Sequence, residues 1–221
     1  MKKIKLSTAI LDENEKEAER TRRYFSKRGI YCVNIMGAPG CGKTTLIREL
    51  IKAMRKKVRI AVIEGDVATG LDAEKIEKLG VPVALLNTDV IGNACHLTSK
   101  MIIKSFKKLN KKVDLLIIEN IGNLVCPAEF DLGEHLRIAM TSISEGDDKV
   151  SKYPPMFMNA GAVIIAKTDL LPYFKYNLRE VRREIKRLNP KAEIYEIAVL
   201  CKNSLKGLLT YLNSKLPGNY D

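Results

Sequence analysis

The chain has 221 residues, 46% of them hydrophobic, with 38 Lys and Arg against 26 Asp and Glu and a formal net charge of +12. The length suits one large α/β domain over residues 1–221, with a sizeable core. No apolar run reaches the roughly 18 residues of a membrane-spanning helix, the basic start at Met1-Lys2-Lys3 lacks a signal-peptide apolar segment, and the five cysteines are odd in number and widely spaced, which argues for thiols over a disulfide framework.

The expectation is a cytoplasmic protein with no membrane partner. The cation excess attracts phosphates, nucleic acid or acidic surfaces. The basic residues are spread over helical stretches, as at Arg179, Arg182, Arg183, Lys186 and Arg187, without interleaved aromatics. Solvated helix faces account for that pattern, and nucleic acid is not the expected partner.

Residues 12–28 are charged, with Ala18, Tyr24 and Phe25 interspersed, and read as a surface helix that Gly29 ends. An apolar run over 31–36 leads into Gly37-Ala38-Pro39-Gly40-Cys41-Gly42-Lys43-Thr44, and a helical pattern from Thr45 leads out. The octet fits G-x-x-x-x-G-K-[ST]. Its strand and helix flanks separate a phosphate-binding loop from a glycine turn with a chance lysine. The glycines let the backbone curl until its N–H groups, with the helix start at Thr44 and Thr45, point at the α- and β-phosphates. Lys43 is expected to reach the β- and γ-phosphates and the Thr44 hydroxyl to hold Mg²⁺.

A second buried strand over 57–64 ends at Glu64-Gly65-Asp66, and Asp72 opens a helix over 72–79 that Gly80 stops. Carboxylates at a strand's C-terminal edge beside the phosphate loop suit Mg²⁺ or the attacking water. Asp66 is the first choice and Asp72, readable also as a helix N-cap, the second. A third strand covers 81–86 and a longer helix 93–110. The fourth strand, 113–119, ends in Glu119-Asn120-Ile121-Gly122. Glu119 suits Mg²⁺ bound through water, and Gly122 can offer its N–H to a γ-phosphate, so this segment should respond to hydrolysis.

Strands at 137–144, 161–167 and 193–199, with helices at 175–188 and 204–212, complete the chain. Apolar strands alternating with helices predict a mostly parallel twisted sheet covered on both faces, a P-loop NTPase fold. The sixth strand ends in Ala166-Lys167-Thr168-Asp169, close to the N-K-x-D guanine element. Asp169 can accept from the N1–H and N2–H₂ of guanine, a pair that adenine lacks, and the Lys167 stem can lie over the base. Ala166 replaces the usual Asn, which removes one contact to the base.

Cys95-His96 falls near the start of the 93–110 helix, and Cys126 lies four residues past Gly122. Singly, such residues are commonly a small buried hydrophobe or a structural imidazole. Together, two thiolates and an imidazole suit Zn²⁺ or Ni²⁺. Three ligands leave a tetrahedral zinc site incomplete, and a symmetric dimer would complete it across its axis.

Taken together, the basic helix with Arg28-Gly29-Ile30, the phosphate loop, Glu64-Gly65-Asp66, Leu86-Asn87-Thr88, Cys95-His96-Leu97 and Glu119-Asn120-Ile121-Gly122-Asn123-Leu124-Val125-Cys126-Pro127 resemble the HypB family. HypB is the GTPase that helps insert nickel into [NiFe]-hydrogenase, and UreG of urease maturation is its relative. The resemblance runs from about residue 15 to about residue 212, and Glu145-Gly146-Asp147-Asp148 supports it. It implies a G domain of the dimerising P-loop class that takes GTP and Mg²⁺, a nickel or zinc site from Cys95, His96 and Cys126, and a nucleotide- or metal-dependent homodimer. It also implies hydrogenase maturation proteins as partners and the hydrogenase large subunit as client.

The chain departs from the family at several positions. Ala38 stands where a neighbouring branch has a second lysine, Lys100 where many members have His, and Cys201-Lys202-Asn203 near a Ser-x-Lys loop around the base. Without a Cys-rich or His-rich tract, storage of many nickel ions is not expected. The alternatives are a GTPase chaperone for another metallo- or cobalamin enzyme, and a nucleic-acid-binding NTPase.

Overall fold

Among the described residues seven strands form, β1 (Tyr31–Gly37), β2 (Ile60–Asp66), β3 (Val83–Asn87), β4 (Leu115–Glu119), β5 (Leu136–Ser142), β6 (Ala162–Ala166) and the partly exposed edge strand β7 (Glu193–Ile197). A computed structural model describes residues 2–66, 71–87, 96–198 and 201–218. The strands pair in the order β3-β2-β4-β1-β5-β6-β7, and every pairing is parallel.

Alternation along β1 shows why the strands read as continuous apolar runs. Val33 and Ile35 pack on one face against α2 (Lys43–Met54) and α9 (Lys206–Lys215), with Ile76 of α3 (Leu71–Glu77). Cys32 and Met36 point to the other face. There α1 (Lys2–Ser26) and α4 (Ser99–Leu109) supply Phe25, Ile102 and Phe106, and α8 (Leu178–Leu188) supplies Val181 and Ile185. A sheet buried on both faces has no polar side to alternate.

Two helix starts differ from the sequence reading. The first helix begins at Lys2, not near residue 12. The helix expected from residue 93 begins at Ser99, because Thr98 is extended and its hydroxyl accepts from the Met101 N–H at 3.4 Å, an N-cap. Residues 88–95 lie outside the described residues. Three short helices were not expected: α5 (Cys126–Glu129), α6 (Lys149–Lys152) and α7 (Pro154–Met158). Proline stands in the first turn of α5 and α7, where its missing N–H has no helical partner to lose. No described helix is long and apolar enough to cross a membrane.

The C-terminal end of α1 is fastened to the sheet through His135. Its Nδ1 accepts from the Cys32 N–H at 3.0 Å, and its Nε2 lies 2.8 Å from the Ser26 hydroxyl. Its ring stacks on Tyr31 with centroids 5.2 Å apart. A lone pair at Nδ1 facing an N–H fixes the neutral ring with its proton on Nε2.

Burial, assisted by the Arg22 charge, pushes the His135 pKa below its ordinary 6.5. Below that pH the unfolded chain binds more protons than the folded one, so stability falls as pH drops through 6.5 toward the folded-state value. The substitution His135→Gln should make this decline shallower. Melting curves of both proteins between about pH 6.5 and pH 5 test it, and parallel declines would mean that the folded ring carries its charge.

Candidate functional site

Because all strands run the same way, the C-terminal ends of β1, β2, β4 and β6 meet at one edge of the sheet, with the described turns after β1, β4 and β6. They line a cleft of about 570 Å³ that includes Pro39, Lys43, Thr44, Glu64, Glu119 and Lys167.

The β1–α2 loop closes on itself through two glycines in left-handed conformation, Gly40 (φ 76°) and Gly42 (φ 110°). Side chains other than hydrogen rarely tolerate such angles. Lys43 is buried, and its ammonium donates to the Gly37 and Ala38 carbonyls at 3.1 and 3.2 Å. That bonding holds the cation against its own loop. Cys41 packs beneath the loop, and burial raises its thiol to about 11 against the pull of Lys43. It is a neutral space-filler there, and Cys32, whose thiol burial also pushes up, is another.

The Thr44 hydroxyl donates to Glu119 Oε1 at 2.8 Å. Glu64 and Glu119 are register partners on adjacent strands and both are buried. Two carboxylates and a hydroxyl, with Lys75 lining the same cleft, form a hard donor set that suits Mg²⁺. The sequence reading took Asp66 and Asp72 as the acids after β2 and passed over Glu64. A carboxylate at the C-terminal end of a buried strand, the signal that singled out Glu119, applies equally to Glu64. Asp66 ends β2 and Asp72 is in α3, but both side chains lie outside the described residues.

Beyond β6, Lys167 adopts φ 59° and its ammonium donates to the Gly40 carbonyl at 2.8 Å and to the Ser144 hydroxyl at 3.1 Å. The turn after β6 is thus tied to the phosphate loop. Ser144, which the sequence reading did not single out, is part of the tie. Asp169 is exposed beside it, and Ala166 is buried at the end of β6.

The segment after β4 links this cleft to the thiol and imidazole. At Gly122 an added Cβ would stand 3.1 Å from the Pro39 nitrogen and 2.8 Å from its Cγ. Only glycine allows that approach to the phosphate loop. Four residues on, Cys126 opens α5 and is half-buried. His96 stacks on Phe130 of the same segment, with centroids 3.7 Å apart and planes at 14°. Burial lowers the His96 pKa, opposed by Glu129, so the ring is uncharged near neutral pH. The structure therefore brings His96 to the segment that carries Cys126. Cys95 lies outside the described residues, and among those described no cluster of three or more metal-ligating side chains stands together.

Both roots of this segment are anchored by one buried polar cluster. Asn120 donates through its N–H to the Ile35 carbonyl at 2.9 Å and through its amide to Asn34 Oδ1 at 3.1 Å. Asn34 in turn donates to Glu134 Oε1 at 3.2 Å, and Arg137 Nε donates to the same oxygen at 2.8 Å. The guanidinium of Arg137 also reaches the Ala128 and Phe130 carbonyls, at 3.1 and 3.3 Å.

Residues 31–196 match the nucleotide-binding domain of the CobW/HypB/UreG family. The hydrogenase/urease maturation factor HypB of Helicobacter pylori is 40% identical over 224 residues, covering 99% of this chain and 90% of that protein. The chain belongs to the HypB family. The probable hydrogenase maturation factor HypB of Methanocaldococcus jannaschii is 37% identical, with 96% of each chain covered.

The solved HypB from Helicobacter pylori, in complex with nickel, superposes with a TM-score of 0.87 at 38% identity, covering 95% of this chain and 97% of that one. HypB from Archaeoglobus fulgidus gives 0.86 at 36% identity, covering 93% and 99%. Across the HypB fold, then, the chain is matched nearly end to end, its parallel sheet and nucleotide-binding domain included.

The Gly122–Pro39 contact yields a direct test. Gly122→Ala should force the two loops apart, at a cost of about 1–3 kcal/mol for an overpacked contact, and weaken nucleoside triphosphate binding about tenfold or more. Calorimetric titration with a non-hydrolysable GTP analogue measures this, and unchanged affinity would mean that the cleft does not need the contact.

Proposed function

We propose that this HypB-family protein binds and hydrolyses GTP and couples that cycle to holding and releasing nickel during hydrogenase maturation. The observation that carries the reading is the single segment from Gly122 to Phe130. It begins against the phosphate loop, bears Cys126 and ends against His96. Supporting it, the HypB relatives are hydrogenase maturation factors, and one of them was solved in complex with nickel.

In this reading the phosphate loop from Gly37 to Thr45 cradles the phosphates, and Lys43 neutralises charge at the β- and γ-positions. Thr44, Glu119 and Asp66 would hold Mg²⁺, joined by Glu64. The ion would supply charge neutralisation on the phosphate oxygens. Asp66, with Asp72 next, positions the attacking water. Lys167 and Asp169 take the base. Turnover without a partner is slow, since the protein contributes positioning and electrostatics and no covalent step.

Cys95, His96 and Cys126 take the cargo metal, Ni²⁺ or Zn²⁺. Three ligands per chain leave the ion under-coordinated, so two chains share it across a two-fold axis, in a nucleotide- or metal-dependent dimer. Maturation proteins and the hydrogenase large subunit are the partners. A second reading changes only the client: the Helicobacter pylori relative is a hydrogenase/urease maturation factor, and a urease or another metalloenzyme fits the same site.

Guanine should be preferred to adenine. Ala166→Asn should tighten GTP binding severalfold, about the worth of one hydrogen bond, and Asp169→Asn should cut the preference for guanine by roughly tenfold or more. Competition of ATP and GDP against bound labelled GTP reads both, and equal competition by ATP would reject the base assignment.

Metal should be lost on Ala substitution at Cys95, His96 or Cys126 and kept on substitution at Cys32, Cys41 or Cys201. Metal stoichiometry of the single variants, with spectroscopic Ni²⁺ titration, separates the two sets. Equal losses at Cys32 and Cys126 would count against this ligand set.

A further inference from the structure

The apolar logic of β1 fails at one position. On the row Cys32, Asn34, Met36, which faces α1, α4 and α8, Asn34 is fully buried. It stands between the Phe25–Phe106 cluster and the Met36–Phe157 cluster. Its partner Glu134 is buried as well and is ion-paired to Arg137 with almost no side-chain exposure. Buried ion pairs are poor sources of net stability, since apolar groups of the same shape often do as well. What such a cluster does supply is a unique placement, because each member must find its partner.

We infer that Glu134 is a positioning residue for the segment that joins the nucleotide cleft to Cys126. Its carboxylate accepts from Asn34, which holds Asn120 at the front root, and from Arg137, which holds the Ala128 and Phe130 carbonyls at the back root. Its second oxygen accepts from the Leu132 N–H at 2.8 Å. From α1, Arg22 donates to the Glu134 carbonyl at 3.0 Å and to Asp131 at 2.6 Å, so the helix locks the same turn. With both roots fixed to β1, β5 and α1, movement driven from Pro39 is confined to residues 121–127. Cys126 is displaced as part of a short hinged span, and the sheet does not move with it. The inference rests on the proposed reading that the nucleotide moves this segment.

The test is hydrogen exchange by mass spectrometry on the whole chain, with and without a non-hydrolysable GTP analogue, reading peptides over 120–130 beside peptides from β1 and β5. Glu134→Gln keeps the shape but turns an amide donor toward either the Leu132 N–H or the Asn34 and Arg137 donors. It should raise exchange over 121–127 about tenfold, leave β1 and β5 protected, and reduce the protection that the analogue gives.

Arg137→Lys keeps the charge beside Glu134 and loses the two carbonyl contacts. It should loosen the back root alone, and it carries the test if Glu134→Gln does not fold. Asn34→Ala, which keeps the ion pair, should loosen the front root alone. Exchange rising equally across the sheet, or a variant segment that behaves as in the wild type, would overturn the inference. A wild-type segment that does not respond to the analogue would instead remove the coupling reading on which it rests.

Discussion

A single direction of travel governs this molecule. Seven parallel strands bring the described turns of the cleft to the same edge, and the ladder sets which of them are neighbours. Glu64 and Glu119 face one another because they are register partners, and no loop has to arrange it. The central place of β1, between β4 and β5, sets the phosphate loop beside the segment after β4. Parallel strands need both faces covered, and the helices that cover them also close the cleft from the side of α2.

Three contacts then lash neighbouring loops to the phosphate loop: Thr44 to Glu119, Lys167 to Gly40, and Gly122 to Pro39. Their energetic weight differs from that of the ion pairs on the surface. Pairs such as Arg23–Glu19 and Arg183–Glu180 are well exposed and contribute little, because solvent screens them. Removing one partner of the buried Glu134–Arg137 pair leaves an uncompensated charge, at about 3–5 kcal/mol. The rigid part of the structure is therefore behind the segment after β4, and the polar contacts in front of it are those a ligand can exchange.

The strands and the phosphate loop were legible in the sequence because each rests on a local signal: a run of apolar residues, or glycines at fixed spacing. The HypB resemblance followed from the same motifs, whereas the order of the strands, β3-β2-β4-β1-β5-β6-β7, is read from the structure alone. Boundaries were less legible where a side chain decides them. Thr98 starts α4 by capping it, which no hydrophobic period reveals. Glu64 does not stand out in the sequence because Asp66, two residues on, carries the same signal, and only the register sets Glu64 beside Glu119. Asn34, Glu134 and Arg137 were illegible for another reason. Asn34 and Glu134 meet across 100 residues of sequence, Arg137 takes its meaning from joining that pair to the 128–130 backbone, and taken singly each is an unremarkable polar residue.

The charge of the chain points away from its chemistry. Grooves of about 480 and 630 Å³ at the start of β2, β3 and β4 are lined by Arg55, Lys56, Lys111 and Lys112 and by Arg28 and Lys107. This is the edge opposite the cleft. The guanidiniums there have work within the chain: Arg28 lies 3.7 Å over the Tyr24 ring, Arg55 donates to the Leu79 carbonyl, and Arg59 pairs with Asp114. Among the described residues of the cleft, Lys43, Lys75 and Lys167 stand against Glu64 and Glu119, three cations facing two carboxylates. The +12 of the whole chain is thus no measure of the site, where selectivity has to come from geometry.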